Sequence, residues 1–300
     1  DAAYSLEDPL VGPGTGLFYG NGEATEAEVT TQNLSLILGF QPTENWNIYG
    51  GAAYQTIKGD VKLRGAAYGG SGPTGFGGYN ANIGEDSAVG WLAGIAYQIP
   101  EIALKASVTY RSEIKHSVNI NESAIPATAG SIPSIINNPA LAGKAATGST
   151  DITTPQSVNL DLQSGIMANT VAFANVRWVN WKDFAIRPYA FGVASGIAGP
   201  SVGQPNGFDL VAYTDDQISA TVGVGRKLNE KWAGNVSVGW DSGAGNPVST
   251  LGPTEGYWNV GLGVQFSPAP NYFIAGGVKY FMLGDAAAQP ASMFNTPNAI

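Results

Sequence analysis

The sequence alternates between polar and apolar residues with a period of two, most regularly from Ala103 to Asn119. Successive side chains of a β-strand point to opposite faces, so this pattern predicts strands with one polar and one apolar face. The polar set of positions is Lys105, Ser107, Thr109, Arg111, Glu113, Lys115, Ser117 and Asn119. The other, mostly apolar set is Leu104, Ala106, Val108, Tyr110, Ser112, Ile114, His116 and Val118.

Three further apolar rows begin and end with an aromatic ring: Trp232 to Trp240, Trp258 to Phe266 and Tyr272 to Tyr280. In each row the two rings are eight residues apart, and eight residues of strand span roughly 26 Å. Outer-membrane barrels carry an apolar band of ~25 Å whose two edges are girdles of aromatic residues. The rows therefore predict an all-β fold, a transmembrane antiparallel up-and-down β-barrel.

The rest of the sequence predicts about ten spans. In one of them, the alternate positions that are apolar up to Tyr54 become charged from Lys58 onward, which predicts a bulge or a strand that leaves the membrane. The additional strands are Asn33 to Gln41, Trp46 to about Arg64, Ser87 to Gln98, Ser157 to Ile166, Val171 to about Ala185, and Gln217 to Arg226.

Short turns alternate with long connections along the whole sequence. Outer-membrane barrels have short turns on one rim and long loops on the outer rim. The alternation therefore places the long connections outside the cell. They are Gly65 to Asp86, Ile120 to Gln156, Ile186 to Asp216, and Ser242 to Glu255.

Composition excludes several other classes of protein. Charged residues make up 12% of the sequence, about half the usual ~25%, whereas a soluble β-sandwich would need a more charged surface. No apolar stretch approaches the ~20 residues of a membrane-spanning helix. Cys 0 and His 1 exclude a disulfide framework and a Cys/His metal site. The net charge is −9 and the basic residues are scattered, so the sequence shows no basic cluster of the kind that binds nucleic acid.

Several segments resemble the long-chain fatty-acid outer-membrane transporters, the FadL/TodX family. They are Ala106 to Lys115, Thr154 to Leu160, Ala172 to Phe184, and Asp216 to Gly284. The resemblance implies a fourteen-stranded barrel with an N-terminal hatch, of which residues 1–300, treated as one domain, cover about ten or eleven strands without the hatch or the last strand. It also implies a monomer surrounded by lipid and lipopolysaccharide in the outer membrane of a Gram-negative bacterium.

The function expected from this resemblance is transport of hydrophobic compounds, foremost long-chain fatty acids. Ligands would be captured at the outer loops, bound in the barrel and released sideways into the membrane. A general diffusion porin for small polar solutes is the alternative. We expect no enzymatic activity and no cofactor, because the single histidine and scattered carboxylates make no catalytic constellation.

Two arginines and a set of apolar loop residues are the candidate ligand-binding residues. Arg64 and Arg187 lie near the outer ends of strands, close to basic positions of the family's pocket, and a guanidinium suits a carboxylate; the alternative is a solvated lumenal or rim charge. The resemblance implies an outer capture groove, to which we assign Phe76, Ile132, Ile135, Ile136 and Leu141. The isoleucines are spaced for one side of a short helix, and they would equally well pack the loop onto the barrel.

Overall fold

The computed structural model describes residues 2–4, 16–125, 131–138, 150–252 and 255–289. Its helices are α1 (Ile132–Ile136) and α2 (Tyr189–Ala198), and within these ranges no helix has the length and apolar character needed to span a membrane. Its strands are β1 (Ala2–Ala3), β2 (Tyr19–Gly20), β3 (Glu23–Ala24), β4 (Glu26–Phe40), β5 (Trp46–Lys62), β6 (Tyr79–Ile99), β7 (Leu104–Arg111), β8 (Ile114–Val118), β9 (Ile120–Ala124), β10 (Thr150–Thr154), β11 (Ser157–Met167), β12 (Thr170–Val179), β13 (Ala185–Ile186), β14 (Val211–Ala212), β15 (Gln217–Lys227), β16 (Trp232–Asp241), β17 (Tyr257–Ala269) and β18 (Tyr272–Leu283).

Ten long strands form one antiparallel meander in the order β4-β5-β6-β7-β11-β12-β15-β16-β17-β18. The short strand β1 pairs with β4, and β9 pairs with the outer part of β6. Among the described residues β4 and β18 do not pair with each other, so this part of the chain is an open, partial barrel. The prediction of about ten spans and the alternation of short turns with long loops are confirmed, although the span predicted to reach about Ala185 ends at Val179.

The register of the sheet aligns the predicted aromatic rings. Trp240 is opposite Trp258 and Trp232 is opposite Phe266, so each end of the paired rows carries two neighbouring rings. The ring centroids of Trp232 and Phe266 are 4.5 Å apart. The residues between the rings point outward and are exposed, for example Leu262 at 58%. This apolar outer surface is what a barrel presents to lipid.

The outer ends of β4, β5 and β6 reverse the pattern. Above Tyr54 the outward positions of β5 are polar or charged, whereas the inward residues Ile57 and Val61 are buried. The same holds for Tyr79 and Ile83 at the start of β6. Here the outside is water and the inside packs against apolar loops. This exchange of surroundings explains the predicted change from apolar to charged residues after Tyr54. A bulge accompanies it where β5 pairs with β6, between Ile57 and Gly59.

The prediction of one continuous strand from Ala103 to Asn119 is wrong. The pairing of β7 with β6 ends at Arg111, and β8 pairs instead with β10 as a separate two-stranded ribbon. Its fully buried His116 lies 3.0 Å from Gln55 of β5 and 3.1 Å from Asp86 of β6. The ribbon therefore bends over the lumenal face of the sheet. Period-two alternation continues through the bend, because β8 is again a half-buried strand.

A candidate ligand-binding cavity in the loop layer

The long outer connections pack together into an apolar layer over one end of the barrel. We call residues 16–25, 63–78, 131–138, 180–216 and 242–252 the loop layer. Its buried side chains form one cluster with the inward residues of β5, β6, β8 and β9. Burial of this cluster holds the long loops in place, since the hydrophobic effect acts on all of the apolar area that is removed from water.

Four aromatic rings form the centre of the loop layer. The centroid of Phe191 lies 4.9 Å from that of Phe76, 5.1 Å from that of Tyr79 and 5.7 Å from that of Phe208. The centroids of Phe76 and Phe208 are 5.6 Å apart. These separations fall within the range of favourable aromatic pairs. The cluster joins residues 76–79 with the distant connection of residues 180–216.

A cavity of about 680 Å³ lies against the aromatic cluster. Its volume falls within the range of small-molecule sites. Ile197, which is 59% exposed, lines it as well, so the cavity meets the outer surface there. Its principal apolar lining residues are Tyr68, Phe76, Phe191, Phe208, Leu210 and Leu251, and its polar ones include Thr74, Ser201, Gln204, Asp209, Thr214 and Thr250.

Helix α2, which supplies Phe191 to the cavity, is capped by a residue of another loop. The carboxylate of Glu122 accepts hydrogen bonds from the backbone N–H groups of Ala190 and Phe191, both at 2.7 Å. The N-cap residue of α2 is Pro188, whose side chain cannot accept a hydrogen bond from these N–H groups. Tyr79 donates to Glu122 at 2.8 Å, and burial raises the pKa of Tyr79, which keeps its hydroxyl protonated as a donor. Glu122 therefore positions α2 and the aromatic cluster together.

Arg64, the first predicted carboxylate ligand, is buried at 2% exposure and fully engaged within the protein. Its Nε and Nη2 donate to Glu23 Oε2 at 3.0 and 2.6 Å, and Nη2 also donates to Asn80 at 2.6 Å. Its Nη1 donates to the carbonyl oxygens of Leu63 and Tyr79. A guanidinium has five N–H donors, and these five bonds use all of them. A ligand carboxylate would have to displace Glu23, so the role of Arg64 in binding stays a prediction.

Arg187, the second predicted carboxylate ligand, lies beside the cavity and outside its lining. Its side chain is 40% exposed, its Nη2 donates to the carbonyl of Asn206 at 2.6 Å, and its Nη1 is 3.8 Å from Asp209 Oδ1. Its guanidinium occupies the space that a Cβ would need at Gly207, whose φ of +77° is also in the left-handed region. Within the described part of the chain these contacts leave donors of Arg187 available, and its role in binding stays a prediction.

The predicted apolar loop residues occupy different places in the layer. Phe76, Ile132 and Ile135 line the cavity, whereas Ile136, at 1% exposure, packs beneath it. The predicted short helix is present as α1, with Ser131 as its N-cap. Leu141 lies outside the described residues. The structure therefore brings three of the five predicted apolar residues together around one cavity.

Several residues of the cavity were missed by sequence reasoning. Phe191 and Phe208 belong to a connection without period-two alternation, and Asp209 is one of many isolated carboxylates. The apolar run from Tyr189 to Ala198 was the available signal, because ten mostly apolar residues in an outer loop indicate a packed segment. Nothing in the sequence singled out Glu122, whose partners are 68 and 69 residues away.

Comparison with solved structures gives the same fold. The chain is similar to a Pseudomonas aeruginosa FadL homologue, with 16% identity and a TM-score of 0.58, over 86% of this chain and 61% of that one. It is also similar to the CymD monoaromatic hydrocarbon channel, with 13% identity and a TM-score of 0.55, over 87% of this chain and 70% of that one. The Pseudomonas putida toluene transporter TodX matches with 13% identity and a TM-score of 0.53, over 86% and 66%. The chain thus spans less than two thirds of the length of the P. aeruginosa homologue.

Comparison with curated protein sequences gives no significant match. A family model does match: residues 15–244 fit the family described as outer membrane protein transport protein (OMPP1/FadL/TodX). The match covers most of the chain and includes the barrel strands from β4 to β16 and the segments that line the cavity up to Thr214, but not those from Pro247 onward. The chain therefore belongs to the OMPP1/FadL/TodX family of outer membrane transport proteins.

Proposed function

We propose that the protein carries small hydrophobic compounds across the outer membrane and that the loop-layer cavity is where they first bind. The observation that carries this proposal is the cavity itself, which has a volume of about 680 Å³ and meets the outer surface at Ile197. Its aromatic wall consists of Tyr68, Phe76, Phe191 and Phe208. Membership of the family supports transport of hydrophobic compounds in general. Binding in the barrel and sideways release into the membrane are the later steps expected from the resemblance.

Two ligand classes remain candidates within this proposal. Long-chain fatty acids would need a cation for their carboxylate, and Arg187 is a basic side chain beside the lining residues Gly207 and Asp209. Aromatic hydrocarbons need only the apolar wall, and two similar structures are named for a monoaromatic hydrocarbon and for toluene. Because no basic residue is among those that line the cavity in the described part of the chain, the geometry favours uncharged compounds.

The proposal is tested with the purified protein that contains this chain, by displacement of an apolar fluorescent dye with ethylbenzene or oleate. We expect Ile135→Asp to weaken ethylbenzene binding at least tenfold, because it places a charge in the cavity wall. Ser134→Asp is the matched control, since it adds the same charge to the same helix at a residue that does not line the cavity. Equal effects of the two variants would contradict the proposed site.

The same experiment separates the ligand classes. Arg187→Ala weakens oleate binding without changing ethylbenzene binding if fatty acids are the ligand. Conductance in planar bilayers addresses the porin alternative. The loop layer covers the outer end of the barrel, so we expect little conductance; large, stable conductance without dye displacement would favour the porin.

A further inference from the structure

Asp209 is a carboxylate on the cavity wall for which the described part of the chain supplies no hydrogen-bond donor. Its side chain is 31% exposed and lines the cavity. The one charged partner that the structure shows for it among the described residues is Arg187, whose Nη1 is 3.8 Å away. That separation is too long for a hydrogen bond, and Arg187 instead donates to Asn206. The carboxylate therefore retains acceptor capacity on the side of the cavity.

Asp209 is partly withdrawn from water, and no described protein donor replaces the hydration that it loses. Loss of hydration raises the pKa of Asp209, and the nearby charge of Arg187 only partly opposes this. Polar groups that leave water are as a rule hydrogen-bonded, so a ligand that displaces water from Asp209 binds better when it brings a donor of its own. A hydrogen bond to a charged acceptor is about twice as strong as one between neutral groups. A ligand with an O–H group should therefore bind in the cavity more tightly than the same ligand without one.

The rest of the lining restricts what else the ligand can carry. Among the described lining residues Asp209 is the one carboxylate, and Lys, Arg and His are absent. The adjacent residue Phe208 is part of the aromatic cluster, with its ring 5.6 Å from Phe76 and 5.7 Å from Phe191. Phe208 and Asp209 both line the cavity, so a ring packed against Phe208 can direct a hydroxyl toward the carboxylate of Asp209, whereas a ligand carboxylate would meet a like charge.

We propose that Asp209 is the specificity-determining residue of the cavity, which selects neutral hydroxylated aromatic compounds and rejects aromatic carboxylates. This inference rests on the proposed function, because it assigns a ligand class to the same cavity. The hydroxyl donates to the carboxylate of Asp209 and the ring packs against Phe208 and its neighbours.

Three ligands that share one skeleton test the inference: 4-ethylphenol, ethylbenzene and 4-ethylbenzoate, measured by dye displacement from the purified protein that contains this chain. For the unmodified protein we expect 4-ethylphenol to bind about tenfold more tightly than ethylbenzene, as one charge-assisted hydrogen bond allows. We expect 4-ethylbenzoate to bind at least tenfold more weakly than ethylbenzene.

Asp209→Asn removes the charge and keeps the shape. The advantage of 4-ethylphenol should fall below about threefold, as expected for a neutral acceptor, and 4-ethylbenzoate should gain affinity. Each affinity is expressed relative to that of ethylbenzene for the same variant, so that a general change of the cavity does not affect the comparison. Asp183→Asn is the matched control, because Asp183 is an exposed carboxylate of the same connection that does not line the cavity; its ligand order should be that of the unmodified protein.

The outcomes distinguish a failure of the Asp209 inference from a failure of the proposed function. If the unmodified protein binds ethylbenzene but does not distinguish it from 4-ethylphenol, or if Asp209→Asn keeps the full preference, the inference is overturned and the proposed function stands. If ethylbenzene does not bind to the unmodified protein at all, the proposed function fails and the inference fails with it.

Discussion

The carboxylate of Glu122 accepts a hydrogen bond from the backbone N–H of Phe191 at 2.7 Å, so a strand of one outer connection begins the helix of another. The first turn of a helix leaves N–H groups without partners, and an acidic group there also benefits from the helix dipole. Phe191 is at the same time a member of the aromatic cluster beside the cavity. The position of the cavity wall therefore depends on Glu122.

Replacement of Glu122 should loosen helix α2. In Glu122→Gln one carboxylate oxygen becomes an NH₂ group, so one of the two N–H groups of Ala190 and Phe191 loses its acceptor. Loss of a cap costs about 1 kcal/mol. We expect amide hydrogen exchange in residues 189–198 to accelerate about fivefold, as this free energy implies. The control Glu85→Gln changes an exposed carboxylate of β6, and equal exchange rates in both variants would contradict the capping role.

The barrel could be predicted from sequence where one side of the strand is lipid and the other is the lumen. The rows from Trp232 to Trp240 and from Trp258 to Phe266 meet that condition, and the structure pairs their rings. The first residues of β4, from Glu26, and of β6, from Tyr79, were missed. There the apolar face turns inward, because water replaces lipid outside and apolar loops replace water inside.

The candidate site could be predicted only in part. Phe76, Ile132 and Ile135 stood out as apolar residues in outer loops, and all three line the cavity. Phe191 and Phe208 did not, because their loops have no periodicity and their neighbours come from distant segments. The local pattern around Arg64 likewise gave no sign of the five hydrogen bonds that bury it, since its partner Glu23 precedes it by 41 residues.

The ion pair between Arg64 and Glu23 predicts a pH dependence in the segment that precedes β4. The hydrogen bond and the charge of Arg64 lower the pKa of Glu23 from its ordinary value of 4.5. A lowered folded-state pKa stabilises the folded state above the ordinary value, and this stabilisation is lost as the pH falls through the lowered pKa. We therefore expect residues 16–25 to lose exchange protection below about pH 4.5.

The measurement is hydrogen exchange of residues 16–25 between pH 3 and 6 (about the range in which carboxylates titrate), corrected for the intrinsic rate at each pH. Glu23→Gln should abolish the dependence and lower protection at all of these values. The control Glu26→Gln removes an exposed ion pair with Lys62, which contributes little to stability. A Glu23→Gln protein with the original pH profile would show that the pair does not hold this segment.

Tyr49 crosses Gly94 inside the barrel and ties three strands together. Its hydroxyl is 2.6 Å from Thr109 Oγ1 of β7, and Gly94 of β6 is the register partner of both residues. A Cβ at Gly94 would collide with the Tyr49 ring. We expect Gly94→Val to cost about 1–3 kcal/mol through this overpacking. A chemical denaturation series should show it, with Gly276→Val as control, because a Cβ at Gly276 meets no atom within 4 Å.

Tyr49→Phe divides this effect into its parts. The variant removes the hydrogen bond to Thr109 and leaves the ring, so it should cost about 1 kcal/mol. Addition of Tyr49→Ala to Gly94→Val should recover part of the loss, because the colliding ring is gone. If the double variant is as unstable as the sum of the single variants, the collision is not the cause.

Leu262 tests whether the outward apolar face contacts lipid. It lies midway between the girdle residues Trp258 and Phe266 and is 58% exposed. An arginine at the midplane of the lipid face of a barrel costs about 2–4 kcal/mol, whereas lumenal positions tolerate charge. We therefore expect Leu262→Arg to lower the unfolding free energy in lipid vesicles by about this amount.

Thr221→Arg is the lumenal control, since its strand neighbours Ile218 and Val222 mark the opposite, outward face. If both variants lose a comparable amount of unfolding free energy, residues 257–269 do not face lipid. Only contact with the apolar band makes the cost of the charge depend on the face of the strand that carries it.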